Sequence, residues 1–187
     1  MRLKWINVLP ILFVVVAIAW HFRKDDLPAL ISAQDSPQSE TWQLVPGSIY
    51  DGDTLRVQRG PEEVKVRLCG IDAPEKNQPQ GIASRDYLRS LVARGDGSII
   101  VVPIERDRYG RQVAELFVKP LDSPPEQELF LNGEMVQAGM AYHYARYSDT
   151  CENRDAIAQA EEMAQANRAG VWSDDKAVKP WDWRKQQ

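Results

Sequence analysis

Alternating apolar and polar positions begin at Trp42 and organise most of the chain after it. The pattern predicts strands over 42–50, 54–59, 64–69, 98–104 and 112–118. Val64, Val66 and Leu68 alternate with Lys65, Arg67 and Cys69, so one face is buried and Arg67 points away from it. Arg59-Gly60-Pro61-Glu62 carries turn chemistry and joins the second and third strands as a hairpin. Three helices are predicted from the longer period. Ala83, Tyr87, Leu88, Leu91 and Val92 form one stripe, ended by Gly95 or Gly97. Asn132 can cap a short helix through Met135 and Val136 that stops at Gly139. A longer helix from about 153 to 169 would bury Ala156, Ile157, Ala160, Met163 and Ala164, with Gly170 as its stop. Short strands in this order, with helices between and after them, define a mainly β α+β domain suited to a closed barrel.

The segment before Trp42 is different in kind. Arg2 and Lys4 precede an apolar run from Trp5 to Trp20, which reads as an export signal over 1–24. Ala17-Ile18-Ala19 has the form of a cleavage site, whereas an uncut run would be a short transmembrane anchor. Anchorage by this single helix is favoured over release by cleavage, and either outcome places the folded part outside the cytoplasm. Residues 25–41 read as a polar linker, 42–173 as the domain and 174–187 as a C-terminal extension. Two cysteines, Cys69 and Cys151, permit one bridge in such a compartment, and the sequence leaves open whether they meet.

Composition is that of a globular protein: 187 residues, 43% hydrophobic and 27% charged. The net charge of −4 opposes a polyanionic partner, and residues 1–33 carry more basic than acidic groups, so the rest is more acidic still. Phosphate binding would therefore need a local basic cluster or a metal ion.

Three stretches hold more polar residues than folding requires. They are Asp51-Gly52-Asp53-Thr54, the run Arg67-Leu68-Cys69-Gly70-Ile71-Asp72-Ala73-Pro74-Glu75, and Asp107-Arg108-Tyr109-Gly110-Arg111. Taken singly, the first is a hairpin turn and the third a solvated surface. Together they supply what metal-assisted phosphodiester hydrolysis needs. Asp53 and Asp72 offer carboxylates to a hard cation such as calcium, and Ala73 a carbonyl oxygen. Glu75 could activate or orient a water, while Arg67 and Arg111 offer planar donors to a phosphate gaining charge.

The ordered set DGDT, RLCGIDAPE, DRYGR, AGMAYHYARY and GVW resembles the staphylococcal nuclease (thermonuclease) family from about Trp42 to Trp172. The resemblance implies an OB-fold, a five-stranded barrel with three helices. It also implies calcium-dependent hydrolysis of DNA and RNA, cutting the 5′ P–O bond to leave 3′-phosphate ends. By position, Asp53, Asp72 and Ala73 match the family's calcium ligands, and Asp51 a nearby acid that shapes the metal site. Arg67, Glu75 and Arg111 match its catalytic residues. Tyr109 falls where the family has an aromatic near the nucleotide, and Tyr147 is a second stacking candidate, with packing the equal alternative for both. Trp172 reads as a core anchor.

Two features depart from the family: the proline-containing stretch 118–131, and the tail with Trp181 and Trp183, which could pack on the barrel or touch a membrane. A monomeric nuclease domain is the expectation. A non-cutting nucleic-acid binding module and a membrane-tethered scaffold are the rivals.

Overall fold

A computed structural model describes residues 38–124 and 126–187. The apolar run and most of the linker lie outside the described residues. Among those described, no helix is long and apolar enough to cross a membrane.

The first strand, β1 (Glu40–Leu44), is shorter than its pattern predicts. Pro46 cannot donate to a ladder and Gly47 adopts φ 75°, so the chain turns there, with Ser48 N–H donating to Val45 O at 3.1 Å. β2 (Thr54–Arg59) and β3 (Glu62–Leu68) form the predicted hairpin, closed where Arg59 faces Glu62 and Gly60 takes φ 58°. After the two-residue strand β4 (Ile71–Asp72) come helix α1 (Gly81–Val92) and strands β5 (Ser98–Arg106) and β6 (Gln112–Val118). Short β7 (Leu129–Phe130) pairs with the end of β6 and leads into α2 (Leu131–Gln137). β8 (Tyr142–His143), α3 (Arg154–Ala166) and α4 (Pro180–Trp183) complete the order.

The sheet runs β3-β2-β1-β5-β6 and then closes, because β3 also pairs parallel with β6. The closing register sets Val66 against Gln112, Arg67 against Val113 and Leu68 against Ala114. This is the closed five-stranded barrel of an OB-fold. Leu55, Val57, Val66, Leu68, Ile99, Val101, Ala114 and Leu116 fill its interior, as the period-2 pattern requires. Leu88, Leu91 and Val92 of α1 and Leu131, Met135 and Val136 of α2 extend that core.

Three expectations are corrected. There are four α-helices among the described residues rather than three, the fourth being a single turn in the C-terminal extension. Asn132 does not cap α2 but sits inside it, fully buried. Its amide accepts from Leu116 N–H at 3.0 Å and donates to Cys69 O at 2.9 Å, tying β6 to the end of β3. Gly170 does not stop α3, which ends at Ala166, while Arg168 takes the left-handed position (φ 50°). Gly170 instead crosses Gly139, where a Cβ on either would fall 2.1 Å from a carbonyl oxygen of the opposing segment. Only glycine fits that crossing.

The stretch 119–128 is fastened to the end of α1. Leu121 N–H donates to Arg94 O at 2.9 Å, and Arg94 pairs with Asp122 at 3.4 Å. Cys69 and Cys151 form a disulfide with Cα atoms 6.0 Å apart, linking the end of β3 to the loop before α3 across 82 positions of sequence. Closing so long a loop removes much freedom from the unfolded chain. Reduction, or Cys69→Ser with Cys151→Ser, should therefore lower stability by about 2–4 kcal/mol, read as a fall in Tm in thermal denaturation.

Candidate active site

The barrel closure decides where the three polar stretches go. The loop before β2 carries Asp51 and Asp53. Asp53 N–H donates to Asp51 Oδ1 at 3.2 Å, and Thr54 Oγ1 to Asp53 Oδ1 at 3.1 Å, which fixes the turn. Gly52 is needed because a Cβ there would lie 1.8 Å from Ser84 Oγ on α1 and 2.8 Å from the Ala73 methyl. Asp53 is thereby pressed against the second stretch, and its Oδ2 accepts from Ala73 N–H at 2.8 Å.

Along the second stretch, β3 delivers Arg67 and Gly70 (φ 70°) reverses the chain into β4. β4 pairs with β8, Asp72 against Tyr142, and Asp72 is completely buried. Arg67 bridges the two aspartates: Nη2 donates to Asp72 Oδ1 at 2.8 Å and to Ile71 O at 3.1 Å, while Nη1 contacts Asp53 Oδ1. Burial lowers the Arg67 pKa, opposed mainly by Asp72. Burial likewise raises the Asp51 pKa, with Arg67 the chief opposing charge.

Glu75 stands on the loop between β4 and α1, its carboxylate about one-third exposed. Glu75 N–H donates to Gln78 Oε1 at 3.1 Å and Gln78 N–H returns to Glu75 O at 2.8 Å. Gly81 permits this tight loop, since its Cβ would meet Glu75 O at 1.9 Å.

The third stretch is a turn before β6. Asp107 accepts from Tyr109 N–H and Arg111 N–H, both at 2.9 Å, and from Arg111 Nε at 2.6 Å. Burial works against the Asp107 charge, yet these bonds from Arg111 and Tyr109 outweigh it and lower its pKa. Asp107 thus orients the Arg111 guanidinium through Nε and leaves the Nη fork unbonded among the described residues. Arg111 lies two residues before Val113, the partner of Arg67 in the closing register.

The structure therefore assembles Arg67, Asp53, Asp72 and Ala73 in direct contact. Asp51 and Arg111 lie in the same field, and Glu75 reaches it through an arginine from the tail. Arg184 donates through Nη1 to Glu75 Oε1 at 2.6 Å and to Asp72 Oδ1 at 3.2 Å, and through Nη2 to Asp72 Oδ2 at 2.7 Å. Tyr109 is 73% exposed beside Arg108 and Arg111. Tyr147, also exposed, meets Tyr144 edge-on at 4.9 Å. Trp172 packs edge-on against Tyr142 at 5.0 Å.

Sequence reasoning missed Asp107, Tyr144 and Arg184. Asp107 was legible, because an acid four residues before an arginine across a Gly-containing turn is a local pairing signal. Arg184 was not, since nothing along the chain indicates that it returns to residues 109 and 112 positions earlier.

Two buried carboxylates with a third acid beside them offer oxygen donors only, the donor chemistry of a hard cation such as calcium. Among the described residues, no three His, Cys, Asp or Glu side chains converge as a ready-made metal cage. Backbone oxygen, water or a substrate phosphate would have to complete the coordination.

Residues 65–174 match the family described as "Staphylococcal nuclease homologue". The chain is 38% identical over 152 residues to Protein ParB of Escherichia coli, covering 79% of this chain and 84% of that protein. It is 37% identical over 139 residues to a micrococcal nuclease of Shigella flexneri, covering 73% and 77%. An uncharacterized endonuclease of Haemophilus influenzae is 38% identical over 154 residues, covering 81% and 77%. Barrel, site and family together define a hydrolase acting on nucleic-acid phosphodiester bonds. The chain belongs to the staphylococcal nuclease homologue family.

If Asp107 aims Arg111, Asp107→Ala should reduce kcat on single-stranded DNA about tenfold or more, given that one misplaced charge-stabilising donor can cost up to about 10³. Steady-state kinetics beside a thermal melt checks this, with the fall in kcat expected to exceed any change in Tm.

Proposed function

We propose that this nuclease is calcium-dependent, that it cleaves both DNA and RNA, and that it leaves 3′-phosphate ends. The observation that carries the reading is the convergence of Asp53 and Asp72 on Arg67, with Glu75 and Arg111 at its rim. Asp53 and Asp72 would hold the cation, with the Ala73 carbonyl and the nearby Asp51 in support. Calcium bound there would supply positive charge against a phosphate oxygen.

The remaining roles belong to the chain's own groups. Glu75, part-exposed on a braced loop, accepts a proton from the attacking water. Arg111 presents its Nη fork to the phosphate, held in aim by Asp107. Arg67 commits three N–H groups to Ile71, Asp72 and Asp53, so its remaining donors can turn to the same phosphate while it keeps the two aspartates together. Guanidinium groups fixed in this way stabilise charge that grows on the phosphate oxygens without having to reorganise. Tyr109, exposed beside two arginines, offers a face to a base or sugar, and Tyr147 a second.

The disulfide supports a compartment outside the cytoplasm, because such bridges persist in oxidising surroundings. Membrane anchorage through residues 1–24 is the companion proposal, with the domain acting as a monomer.

The two principal site variants should separate chemistry from folding. Glu75→Gln is expected to lower kcat about 10²–10⁴-fold, the range for a lost general base, with Tm nearly unchanged. Arg67→Ala should abolish activity and also destabilise by about 3–5 kcal/mol, because it strands buried carboxylates. Kinetics and melting curves on the same preparations measure both. For the metal, labelled DNA and RNA should be digested with millimolar calcium and left intact with chelator. Digestion that persists in chelator would exclude the calcium requirement.

A further inference from the structure

The C-terminal segment 178–186 lies across the candidate site, and its contacts fall on the groups that define it. Val178 O accepts from Gln78 Nε2 at 2.6 Å, fastening the segment beside the Glu75 loop. Pro180 is buried and starts the single turn of α4, with Asp182 and Trp183 N–H both bonded to Lys179 O. Trp181 and Arg184 are three residues apart, so they leave the turn on one side. The Trp181 indole stacks on the Tyr144 ring, with centroids 4.7 Å apart and planes at 4°. It also meets Tyr142 edge-on at 5.8 Å, and Lys179 Nζ lies 5.2 Å from its centre. Arg184 takes both oxygens of Asp72 and one of Glu75.

These two contacts have the chemistry of a bound nucleotide and its cation. A flat ring lying parallel on a tyrosine is how a nucleobase is held without sequence preference. A positive group on both oxygens of Asp72 stands where a divalent cation would be held. Asp72 Oδ1 already accepts from both Arg67 and Arg184, which fills its two lone-pair positions. A cation can therefore use that oxygen only after one arginine leaves. Arg67 is walled in at 15% exposure, whereas Arg184 is 43% exposed and follows a single helical turn. Arg184 is the one that can leave.

We propose that segment 178–186 is an intramolecular occupant of the active site, in which Arg184 competes with the divalent cation at Asp72 and ties up the Glu75 carboxylate, and Trp181 competes with a nucleobase at Tyr144. The inference rests on the calcium reading above. It makes the resting enzyme self-shielded: cation and nucleic acid together displace the segment, each easing entry of the other. Only the arginine side of this pair meets solvent, since Arg184 is 43% exposed while Asp72 is buried, so release of the segment returns the guanidinium to water and leaves Asp72 for the incoming cation.

The test is calorimetric titration of the full-length protein with calcium chloride, comparing the unaltered chain with Arg184→Ala and Trp181→Ala. Arg184→Ala should bind calcium about three- to tenfold more tightly, as loss of one part-exposed competitor implies. Trp181→Ala should shift affinity in the same direction by less. Hydrolysis of single-stranded DNA should then rise at sub-saturating calcium and converge with the unaltered protein at saturation. Equal calcium affinity in all three proteins would overturn the competition and leave the calcium reading intact. Weaker binding or lower activity in Arg184→Ala would overturn it by making Arg184 a working part of the site. No calcium binding by any of the three would overturn both.

Discussion

Three residue pairs between parallel strands hold the design together. Pairing Val66, Arg67 and Leu68 with Gln112, Val113 and Ala114 closes the barrel. The same register sets Arg67 close to the turn that ends in Arg111, two segments over 40 positions apart in sequence. β4 and its loop follow directly from β3, so the closure also fixes Asp72 and Glu75. The disulfide from Cys69 and the buried Asn132 amide secure the same corner. Glu115, fully buried on β6, accepts from the backbone and side chain of Asn153 and seats the start of α3 there as well.

Charge explains why that corner must be rigid. Asp53 and Asp72 are almost wholly removed from water, and two buried carboxylates side by side would repel and protonate without a cation between them. Arg67 supplies the permanent positive charge that lets the pair exist in the folded chain. Burial still lowers its pKa overall, with Asp72 the chief opposing group. The aspartate pair is thus neutralised in part by the chain's own guanidinium group. Arg111 is held differently, by a surface turn in which Asp107 takes its Nε and two backbone N–H groups. One arginine is built into the barrel wall, where it also holds the two aspartates together, and the other is aimed from the rim.

The tail changes how the family resemblance is read. Residues 175–187 lie beyond the matched region, yet they supply an arginine bonded to Glu75 and the ring stacked on Tyr144. The negative net charge, which counts against a nucleic-acid partner, is opposed at the site by the guanidinium groups of Arg67 and Arg111. Bulk charge and site charge are separate quantities, and only the second concerns the phosphate at the reacting centre.

The five barrel strands and three main helices were legible because burial repeats with period two or 3.6 along contiguous residues. The triad of polar stretches was legible because loops carrying Asp53, Asp72, Glu75 and Arg111 hold charge that packing does not require. Misread features were those whose partner lies elsewhere in the fold. Asn132 has the composition of a cap, but carbonyl and amide groups of β3 and β6 claim its side chain. Gly170 has the composition of a helix stop, but a crossing segment at Gly139 dictates it. The thiols at Cys69 and Cys151 could be counted, but only the packed chain brings them together. Sequence alone determined the elements and the chemical inventory, since both depend on neighbours one to four residues away. Tertiary structure decided which charges share a site and that Arg184 is among them, because distance in space across a closed barrel is not encoded in spacing along the chain.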